Sequence, residues 1–312
     1  MKILISGASG LIGSALTASL ESDGHQVLRL SRGAAKRKDD QSFVQWQPDD
    51  GRFEIGEMEK LAGVEAAFHL AGESVLGRWT NAKKIRIRES RIRSTHLLSE
   101  TLAKLPTRPR TVICASAVGY YGHRGGEVLR EDSASGRGFL ASVCREWEDA
   151  AHATRDVGIR TVHARFGVVL SKDGGALQKM LLPFQLGLGG PIGSGRQFLS
   201  WISIDDTIAA LRFALDNSKI EGAINVVAPN PVSNREFVKT LGKTLARPAL
   251  IPLPVFALKI ALGKEAANET LLVSQRAIPE KLQANGFEFQ QPELDGALRH
   301  LLRNESIETG TP

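Results

Sequence analysis

Three glycines near the start of the chain, Gly7, Gly10 and Gly13, are spaced three residues apart. They follow an apolar run at 3–5, which predicts a buried strand, and precede apolar residues at helical spacing from 11 to 20. Such a turn lets backbone N–H groups approach a phosphate and points the positive end of a helix at it. The sequence therefore predicts a site for the pyrophosphate of a dinucleotide; a glycine turn without a ligand is the alternative.

The second predicted strand ends at Ser31 and Arg32, and no acidic residue occurs between positions 24 and 38. In dinucleotide-binding folds, an acidic side chain here binds the ribose hydroxyl of NAD, whereas a basic side chain accommodates the 2′-phosphate of NADP. Arg32 and the basic run at 36–38 therefore favour NADP(H) as the cofactor. The alternative is a solvated basic loop beside an NAD site.

Alternating strands and helices must position these residues. Beyond the first strand, helix and second strand, the pattern predicts strands at 43–46, 66–70, 111–115, 159–164 and 223–227, and helices at 80–103, 138–155 and 205–215. This alternation is typical of an α/β fold, a Rossmann doubly wound parallel sheet covered on both faces. Glycine- and proline-rich segments after residue 170 predict a smaller C-terminal α+β lobe.

The predicted domains follow from that change in composition. We expect an NADP-binding Rossmann domain at 1–170 plus about 204–227, and a smaller substrate lobe at 171–203 and 228–312. A cleft between them would bind the substrate. The glycine-rich loop at 187–195, with Arg196, Gln197 and Trp201, is predicted to frame that cleft, and a structural contact between the lobes is the alternative.

Composition limits the remaining possibilities. The 312 residues are 42% hydrophobic and 24% charged, as is typical of a globular protein with a large core. The two cysteines form no disulfide framework and no metal-ligand spacing, so we predict no metal site and a reducing, cytoplasmic location. No apolar run is long enough to cross a membrane, and no signal peptide fits before the first strand. We expect a monomer or homodimer that binds a small-molecule substrate.

Several stretches are distinctive in combination: 7–13, His69-Leu-Ala-Gly-Glu73, Ala115-Ser-Ala-Val-Gly-Tyr-Tyr-Gly122, Arg165-Phe-Gly-Val-Val-Leu170, the glycine-rich 182–197 and the following 200–206. With a C-terminal stretch from 252 to 289, they resemble the extended (atypical) short-chain dehydrogenase/reductase superfamily. Within it they look most like an epimerase-like branch, the 39U epimerase family, with its C-terminal module. The resemblance implies a Rossmann domain, bound NADP(H) and a nucleotide-sugar-epimerase-like architecture, but no particular substrate.

The resemblance also assigns residues to the cofactor. It implies contacts to the pyrophosphate from the glycine turn, to the 2′-phosphate from the end of the second strand, and to the riboses from the end of the fourth strand. Val169 would line the nicotinamide end, and Arg91 could reach a phosphate. The full implied set is Gly7, Ser9, Gly10, Leu11, Ile12, Gly13, Ser31, Arg32, Leu70, Ala71, Gly72, Arg91 and Val169.

One departure from the superfamily pattern concerns catalysis. The superfamily uses a Tyr-x-x-x-Lys pair in which the lysine lowers the pKa of the tyrosine, and the tyrosine exchanges a proton with the substrate. This chain has only two tyrosines, Tyr120 and Tyr121, and neither is followed by a lysine four residues later. On the aligned helix the two positions fall near Leu140 and Cys144. The helix is retained, and its acid–base pair is absent.

Two functional hypotheses follow from this departure. In the first, the protein is an oxidoreductase or epimerase that acts on an unidentified carbonyl or hydroxyl compound, which could resemble a sugar nucleotide. Tyr120 or Tyr121 donates a proton and Ser116 polarises the carbonyl. Arg124 lowers the pKa of the tyrosine by its charge. In the second, a non-catalytic NADP(H)-binding protein acts in regulation or cell division.

The most basic segment, residues 83–93, allows a third and weaker hypothesis. Phosphate binding or a nucleic-acid surface would use its lysines and arginines, but Trp79 is its only aromatic neighbour, so we predict no nucleic-acid partner. The simplest interpretation is a solvated helix face with Ile85 and Ile92 turned inward.

Overall fold

The computed structural model describes residues 1–32 and 41–303. Its strands are β1 (Lys2–Ser6), β2 (Gln26–Ser31), β3 (Phe43–Gln47), β4 (Arg52–Phe53), β5 (Ala66–His69), β6 (Thr111–Ala117), β7 (Val128–Leu129), β8 (Arg160–Phe166), β9 (Val168–Leu170), β10 (Phe198–Leu199), β11 (Trp201–Ser203), β12 (Gly222–Val226), β13 (Val232–Ser233) and β14 (Arg276–Ala277). Its helices are α1 (Leu11–Ser22), α2 (Asn81–Lys104), α3 (Phe139–Asp149), α4 (His152–Asp156), α5 (Gly175–Gln185), α6 (Ile204–Asp216), α7 (Asn234–Thr244), α8 (Val255–Leu262), α9 (Lys264–Thr270), α10 (Glu280–Ala284) and α11 (Leu294–Arg303), with 3₁₀ turns at Glu57–Leu61 and Val118–Tyr121.

Eight strands form one sheet in the order β12-β8-β6-β5-β1-β2-β3-β4. Neighbouring strands pair in parallel, except that the edge strand β4 runs antiparallel to β3. From β1 the chain moves outward to β3 in one direction, and from β5 it moves outward to β12 in the other. The predicted doubly wound parallel sheet is confirmed. In such a sheet, ligands bind at the carboxyl ends of the strands beside this reversal, here β1 and β5.

Both faces of the sheet are buried. Ile3 and Ile5 of β1 pack on one face with residues of α1 and α6, whereas Leu4 packs on the other face with residues of α2. Because each fully buried Leu or Ile side chain contributes about 1.5–3 kcal/mol relative to exposure, these two layers fix the position of the sheet relative to its helices. The ends of β1, β5 and β6 are therefore rigid supports for a site.

A third hydrophobic cluster joins segments that lie far apart in the sequence. It includes Leu177 of α5 and Trp201 of β11, together with Phe237 of α7 and Leu298 of α11. These elements belong to the predicted smaller lobe, which thus has packed apolar residues of its own. The domain boundaries themselves stay a prediction.

Helix α2 contains the basic segment. The side chain of Thr80 accepts a hydrogen bond from the backbone N–H of Lys83 and caps the helix. The expectation that Ile85 faces inward is wrong: Ile85 is 61% exposed and Ile87 is fully buried. Two residues correspond to about 200° around a helix, so the two isoleucines lie on nearly opposite faces. The packed face is set by Ile87, Leu98 and Leu102.

Within the two described ranges, no helix combines the length and the apolar character that crossing a membrane requires. The basic run at 36–38 and the polar tail at 305–312, both noted in the sequence, lie outside the described residues.

Candidate functional site

The glycine turn joins β1 to α1, and two of its glycines are required by the packing of the chain itself. Gly7 has a φ of +74°, and a Cβ there would lie 2.8 Å from the carbonyl of Leu70. A Cβ on Gly13 would lie 2.1 Å from the carbonyl oxygen of Gly7. A Cβ on Gly10 would meet only that oxygen, at 3.3 Å, so the space outside Gly10 is open. A phosphate fits there, against the unpaired N–H groups of the first turn of α1.

Two adjoining cavities open from this turn. The first, about 260 Å³, extends past Ser31 and Arg32 at the end of β2, and we call it the β2 cavity. The second, about 390 Å³, extends past Ser116 and Ala117 at the end of β6, and we call it the β6 cavity. Both are lined by Gly7, Gly10, Leu70 and Gly72.

The structure brings the implied cofactor residues together. Ser9, Ser31, Arg32 and Ala71 line the β2 cavity, Leu11, Ile12, Gly13, Arg91 and Val169 line the β6 cavity, and Gly7, Gly10, Leu70 and Gly72 line both. Residues from five separate stretches of the sequence thus form one continuous groove across the carboxyl ends of β1 and β5.

The β2 cavity also has two carboxylates in its wall. Glu73 forms an ion pair with Lys83, and the hydrogen bond from Lys83 lowers the pKa of Glu73 from its usual value. Asp49 is exposed. Arg32 is exposed as well, so the cavity has a cation at the end of β2.

A larger open groove of about 920 Å³ lies between α1 and α6 and shares Leu11 with the β6 cavity. Arg212 and His300 in its wall are already paired, with Asp23 and Asp205. We assign it no chemistry.

His69, at the end of β5, is part of a buried hydrogen-bonded chain. The Ser94 hydroxyl donates to the carbonyl of Ser90, so it accepts from Nε2 of His69, 3.1 Å away. Ser6 lies 2.6 Å from Nδ1 of His69 and accepts from the backbone N–H groups of Leu70 and Ala71. A neutral His69 with its proton on Nε2 satisfies every group in this chain, and it fixes the strand end that lines the β2 cavity.

The burial of His69 predicts that the folded protein becomes less stable as pH falls. Burial lowers the pKa of His69 to about 3 and that of His163 to about 4, whereas both ionise near 6.5 in the unfolded chain. Below pH 6.5 the unfolded state binds protons that the folded state does not, so stability falls as pH falls, by about 1.4 kcal/mol per unit for each histidine. Urea unfolding measures the free energy of unfolding of the wild type and of His69→Asn between pH 6.5 and 5. Its dependence on pH should be smaller in the variant by the contribution of one histidine. An equal slope in both proteins would contradict this assignment.

Tyr121 lies in a closed hydrogen-bonded environment. Its side chain is fully buried; its hydroxyl donates to Oδ1 of Asn225 at 2.7 Å and accepts from Arg165 at 3.0 Å. Burial raises the pKa of Tyr121 to about 12, against the opposing charge of Arg165. This geometry gives Tyr121 a structural role in the core and leaves no free lone pair or proton for a substrate.

Tyr120 has different surroundings. The guanidinium carbon of Arg165 lies 3.5 Å from the centroid of its ring, and Tyr120 itself is half-buried. Its hydroxyl has no hydrogen-bond partner within the part of the chain that the structure describes. Of the two tyrosines, Tyr120 is the one whose proton is available. Arg124, which we expected to influence these tyrosines, pairs instead with Glu127.

Ser116 lines the β6 cavity and donates its proton to Oε1 of Glu148 at 2.6 Å. Glu148 in turn accepts two hydrogen bonds from Arg165, at 2.8 and 2.9 Å. A hydroxyl has one proton, so Ser116 can only accept a hydrogen bond from a ligand while this arrangement persists. The expected polarisation of a carbonyl by Ser116 needs a donor, and the structure shows the proton of Ser116 already donated to Glu148.

Arg91 is the ionisable side chain in the wall of the β6 cavity. Its Nη1 donates to the carbonyls of Glu73 and Ile87, both at 2.9 Å, and its Cζ lies 4.9 Å from the centroid of the Trp147 ring. Burial lowers the pKa of Arg91 from its usual value. The two carbonyls fix the guanidinium and leave Nε and Nη2 without a partner among the described residues, so they can donate to a phosphate or to a substrate oxygen.

The positions of the missing Tyr-x-x-x-Lys pair are apolar in this structure. Leu140 and Cys144 lie on α3 beside Gly119, where a Cβ would be 3.6 Å from Leu140 Cβ and 3.7 Å from Cys144 Sγ. Burial raises the pKa of the Cys144 thiol to about 12. Cys144 is therefore a small buried hydrophobic residue at neutral pH and cannot replace the lysine.

Some predicted residues lie elsewhere. Trp201 is fully buried in the third hydrophobic cluster, and Gln197 donates to the carbonyls of Ile192 and Leu271, so both have structural roles. Neither residue, nor Arg196, is in the wall of the β2 or β6 cavity. In the basic segment, Lys83, Lys84, Arg88 and Arg93 form ion pairs with Glu73, Glu265, Glu146 and Glu89.

Sequence reasoning missed the pair Glu148 and Arg165. Arg165 occupies a position in β8 whose neighbours are buried, and a charged residue inside a buried strand needs a partner. The position of Arg165 in a buried strand was thus the sign in the sequence that it has an acidic partner. The identity of the partner, on a different element, was not readable from spacing.

The comparisons with known proteins agree with this geometry. Residues 3–227 match the NAD dependent epimerase/dehydratase family, and residues 253–301 match a Domain of unknown function (DUF1731). The chain is 42% identical over 297 residues to epimerase family protein Mb2239 of Mycobacterium bovis, covering 95% of this chain and 96% of that one. It is 39% identical over 304 residues to epimerase family protein YfhF of Bacillus subtilis, covering 97% and 98%.

A solved structure is similar over its full length. The crystal structure of human epimerase family protein SDR39U1 with NADPH has a TM-score of 0.87 to this chain at 36% identity, and the match covers 98% of this chain and 100% of that one. The resemblance stated from the sequence is confirmed. The chain belongs to the NAD dependent epimerase/dehydratase family.

Proposed function

We propose that this protein binds NADP(H) and acts as an oxidoreductase or epimerase-like enzyme on a carbonyl or hydroxyl compound. The observation that carries the proposal is the continuous groove formed by the β2 and β6 cavities, with the glycine turn at its middle. The human relative SDR39U1 was crystallised with NADPH, and that ligand fits the order of groups along this groove. Its pyrophosphate would lie outside Gly10, where a Cβ is absent and α1 begins.

The preference for the phosphorylated cofactor rests on the end of β2. Ser31 and Arg32 line the β2 cavity there, and a guanidinium can hold a phosphate through two charge-assisted hydrogen bonds. Of the two carboxylates in the same wall, Glu73 is already paired with Lys83. The other, Asp49, is exposed, and we assign the preference to Arg32.

At the other end of the groove, the bound cofactor would supply or accept a hydride. Arg91 and Ser116 are the polar side chains in the wall of the β6 cavity that can serve a substrate there, and Tyr120 lies outside that wall. Arg91 holds an oxygen of the ligand by donating hydrogen bonds, and Ser116 accepts one from a hydroxyl or amide N–H. Tyr120 retains a proton to donate, with the charge of Arg165 against its ring. Tyr121 positions Arg165 and takes no part in proton transfer.

A second candidate function, a non-catalytic NADP(H)-binding regulator, is supported by one observation. The sequence contains no Tyr-x-x-x-Lys pair, and the corresponding positions fall near Leu140 and Cys144, so the usual acid–base pair is absent. The two candidates share the cofactor and differ in turnover. Oxidation of NADPH by the wild type in the presence of a carbonyl compound would favour the enzyme.

Cofactor binding is tested by thermal unfolding with NADPH, NADP⁺, NADH and NAD⁺ in parallel. A ligand that binds only the folded state at 100 times its Kd stabilises it by about 2.7 kcal/mol, which raises Tm by several degrees. We expect stabilisation by NADPH and NADP⁺, and a loss of about tenfold or more in NADPH affinity in Arg32→Asp. Arg110→Asp is the matched control, because Arg110 lies at the amino end of β6 and outside the walls of both cavities. If none of the four ligands raises Tm, the proposal is wrong.

A further inference from the structure

A third cavity, about 350 Å³, lies where the loop after β6 meets the start of α3, α9 and the segment before β14. We call it the junction cavity. Gly119 in its wall and Ala117 in the wall of the β6 cavity are two residues apart in the chain, where β6 ends. Leu140, where the superfamily has its tyrosine, also lines the junction cavity.

Gln275 is the strongest sign that this cavity binds a ligand. Gln275 is only 9% exposed. Its backbone N–H donates a hydrogen bond to the carbonyl of Phe198, and its carbonyl accepts one from the hydroxyl of Ser200. Its side-chain amide lines the cavity and has no hydrogen-bond partner among residues 1–32 and 41–303. This amide is open to the cavity, so a ligand that enters can form hydrogen bonds with it.

The other polar groups in the wall are mainly donors. The guanidinium of Arg137 and the amide of Asn268 have no partner within the described chain. Nδ1 of His123 accepts from the backbone N–H of Ser274 at 3.1 Å, which leaves the proton of the neutral ring on Nε2. A wall rich in donors suits a ligand rich in acceptor oxygens.

Glu269 is the carboxylate in this wall, and both of its oxygens already accept hydrogen bonds. Its oxygens accept hydrogen bonds from the backbone N–H groups of Phe139 and Leu140, at 2.8 and 2.7 Å, in the first turn of α3. A carboxylate in this position is stabilised by the positive end of the helix. The wall thus has one carboxylate held by backbone N–H groups and one guanidinium, that of Arg137, without a partner in the described residues.

We propose that the junction cavity is a substrate subsite that binds an oxyanion, the carboxylate or phosphate of a hydroxylated compound, through Arg137 and Gln275. The inference rests on the proposed function, because the reacting carbon of that compound would lie in the neighbouring β6 cavity. Arg137 selects for the charge, and Gln275 bonds to an oxygen deeper in the cavity. Leu140 leaves space that a tyrosine would fill.

The test uses the full-length protein saturated with NADPH and titrated by calorimetry with three probes. D-Glucuronate carries a carboxylate, α-D-glucose 1-phosphate carries a phosphate, and D-glucose is the neutral control. We expect at least one anion to bind more tightly than glucose, and Arg137→Gln to weaken that binding by about tenfold, the effect of one charge-assisted hydrogen bond. Gln275→Met should weaken it as well, and Arg110→Gln should leave it unchanged.

The preferred anion identifies the oxyanion as carboxylate or phosphate. Equal binding of all three probes, no binding of any of them, or an unchanged affinity in Arg137→Gln would overturn the subsite. NADPH affinity is measured in each variant and should stay at the wild-type value. If the wild type does not bind NADPH, the proposed function itself is wrong. Failure of the subsite and failure of the proposed function are therefore distinguishable.

Discussion

Gly13→Ala is expected to abolish NADPH binding and to destabilise the fold. The new methyl carbon would lie 2.1 Å from the carbonyl oxygen of Gly7 and 2.8 Å from its carbonyl carbon. Both are backbone atoms, so α1 must move away from β1, and the N–H groups of its first turn leave the phosphate position. We expect at least a 100-fold loss of NADPH affinity, the equivalent of about 2.7 kcal/mol, and a loss of about 2–3 kcal/mol in the free energy of unfolding.

Gly24→Ala is the control for this prediction. Gly24 also has a positive φ, +77°, but a Cβ there has nothing within 4 Å. It should cost about 1 kcal/mol of stability through backbone strain alone and leave NADPH affinity unchanged. Urea unfolding and NADPH fluorescence titration measure the two quantities. Normal NADPH affinity in Gly13→Ala would show that the turn does not bind the phosphate.

The second large effect concerns the buried ion pair between Glu148 and Arg165. The Arg165 side chain is 4% exposed; burial disfavours its charge, but Glu148 outweighs burial and raises the pKa of Arg165 above its usual value. Removing one member of a buried pair leaves an uncompensated charge and costs about 3–5 kcal/mol. We expect a loss of that size in the free energy of unfolding of Glu148→Leu.

Glu146 provides a matched control on the same helix. It pairs with Arg88 at the surface, and such pairs contribute about 1 kcal/mol or less, so Glu146→Leu should have a small effect. The double variant Glu148→Leu with Arg165→Met should be more stable than the sum of its single variants predicts, because neither charge remains. Chemical unfolding of the four proteins measures this. Equal losses in Glu148→Leu and Glu146→Leu would mean that the buried pair is not needed.

The sequence was sufficient for the parts of the molecule that depend on local pattern. The glycine turn, the strand ends and the alternation of strands with helices identify the sheet and the residues along the cofactor groove, because each depends on neighbouring positions in the chain. The two tyrosines show the limit. They are adjacent in the sequence, yet only the packing of Arg165 and Asn225 around Tyr121 distinguishes their roles.

The substrate side could not be predicted in the same way. The wall of the junction cavity combines residues 119–140 with residues 268–275, and no periodicity relates segments that far apart. The glycine-rich loop at 187–195 was a stronger local signal, but Trp201 and Gln197 beside it serve the core. Local sequence patterns identify positions where the backbone needs a particular residue, such as a glycine in a turn. Which side chains meet in a cavity depends on tertiary packing.

The cap that Glu269 places on α3 has a consequence for the order in which this protein matures on the ribosome. The residues that line the cofactor groove all lie at or before position 176, whereas the first turn of α3 is capped by a residue 130 positions further along the chain. Contacts of such sequence separation form late in folding. The wall of the junction cavity is therefore complete only when the C-terminal segment that carries Glu269 has packed against α3.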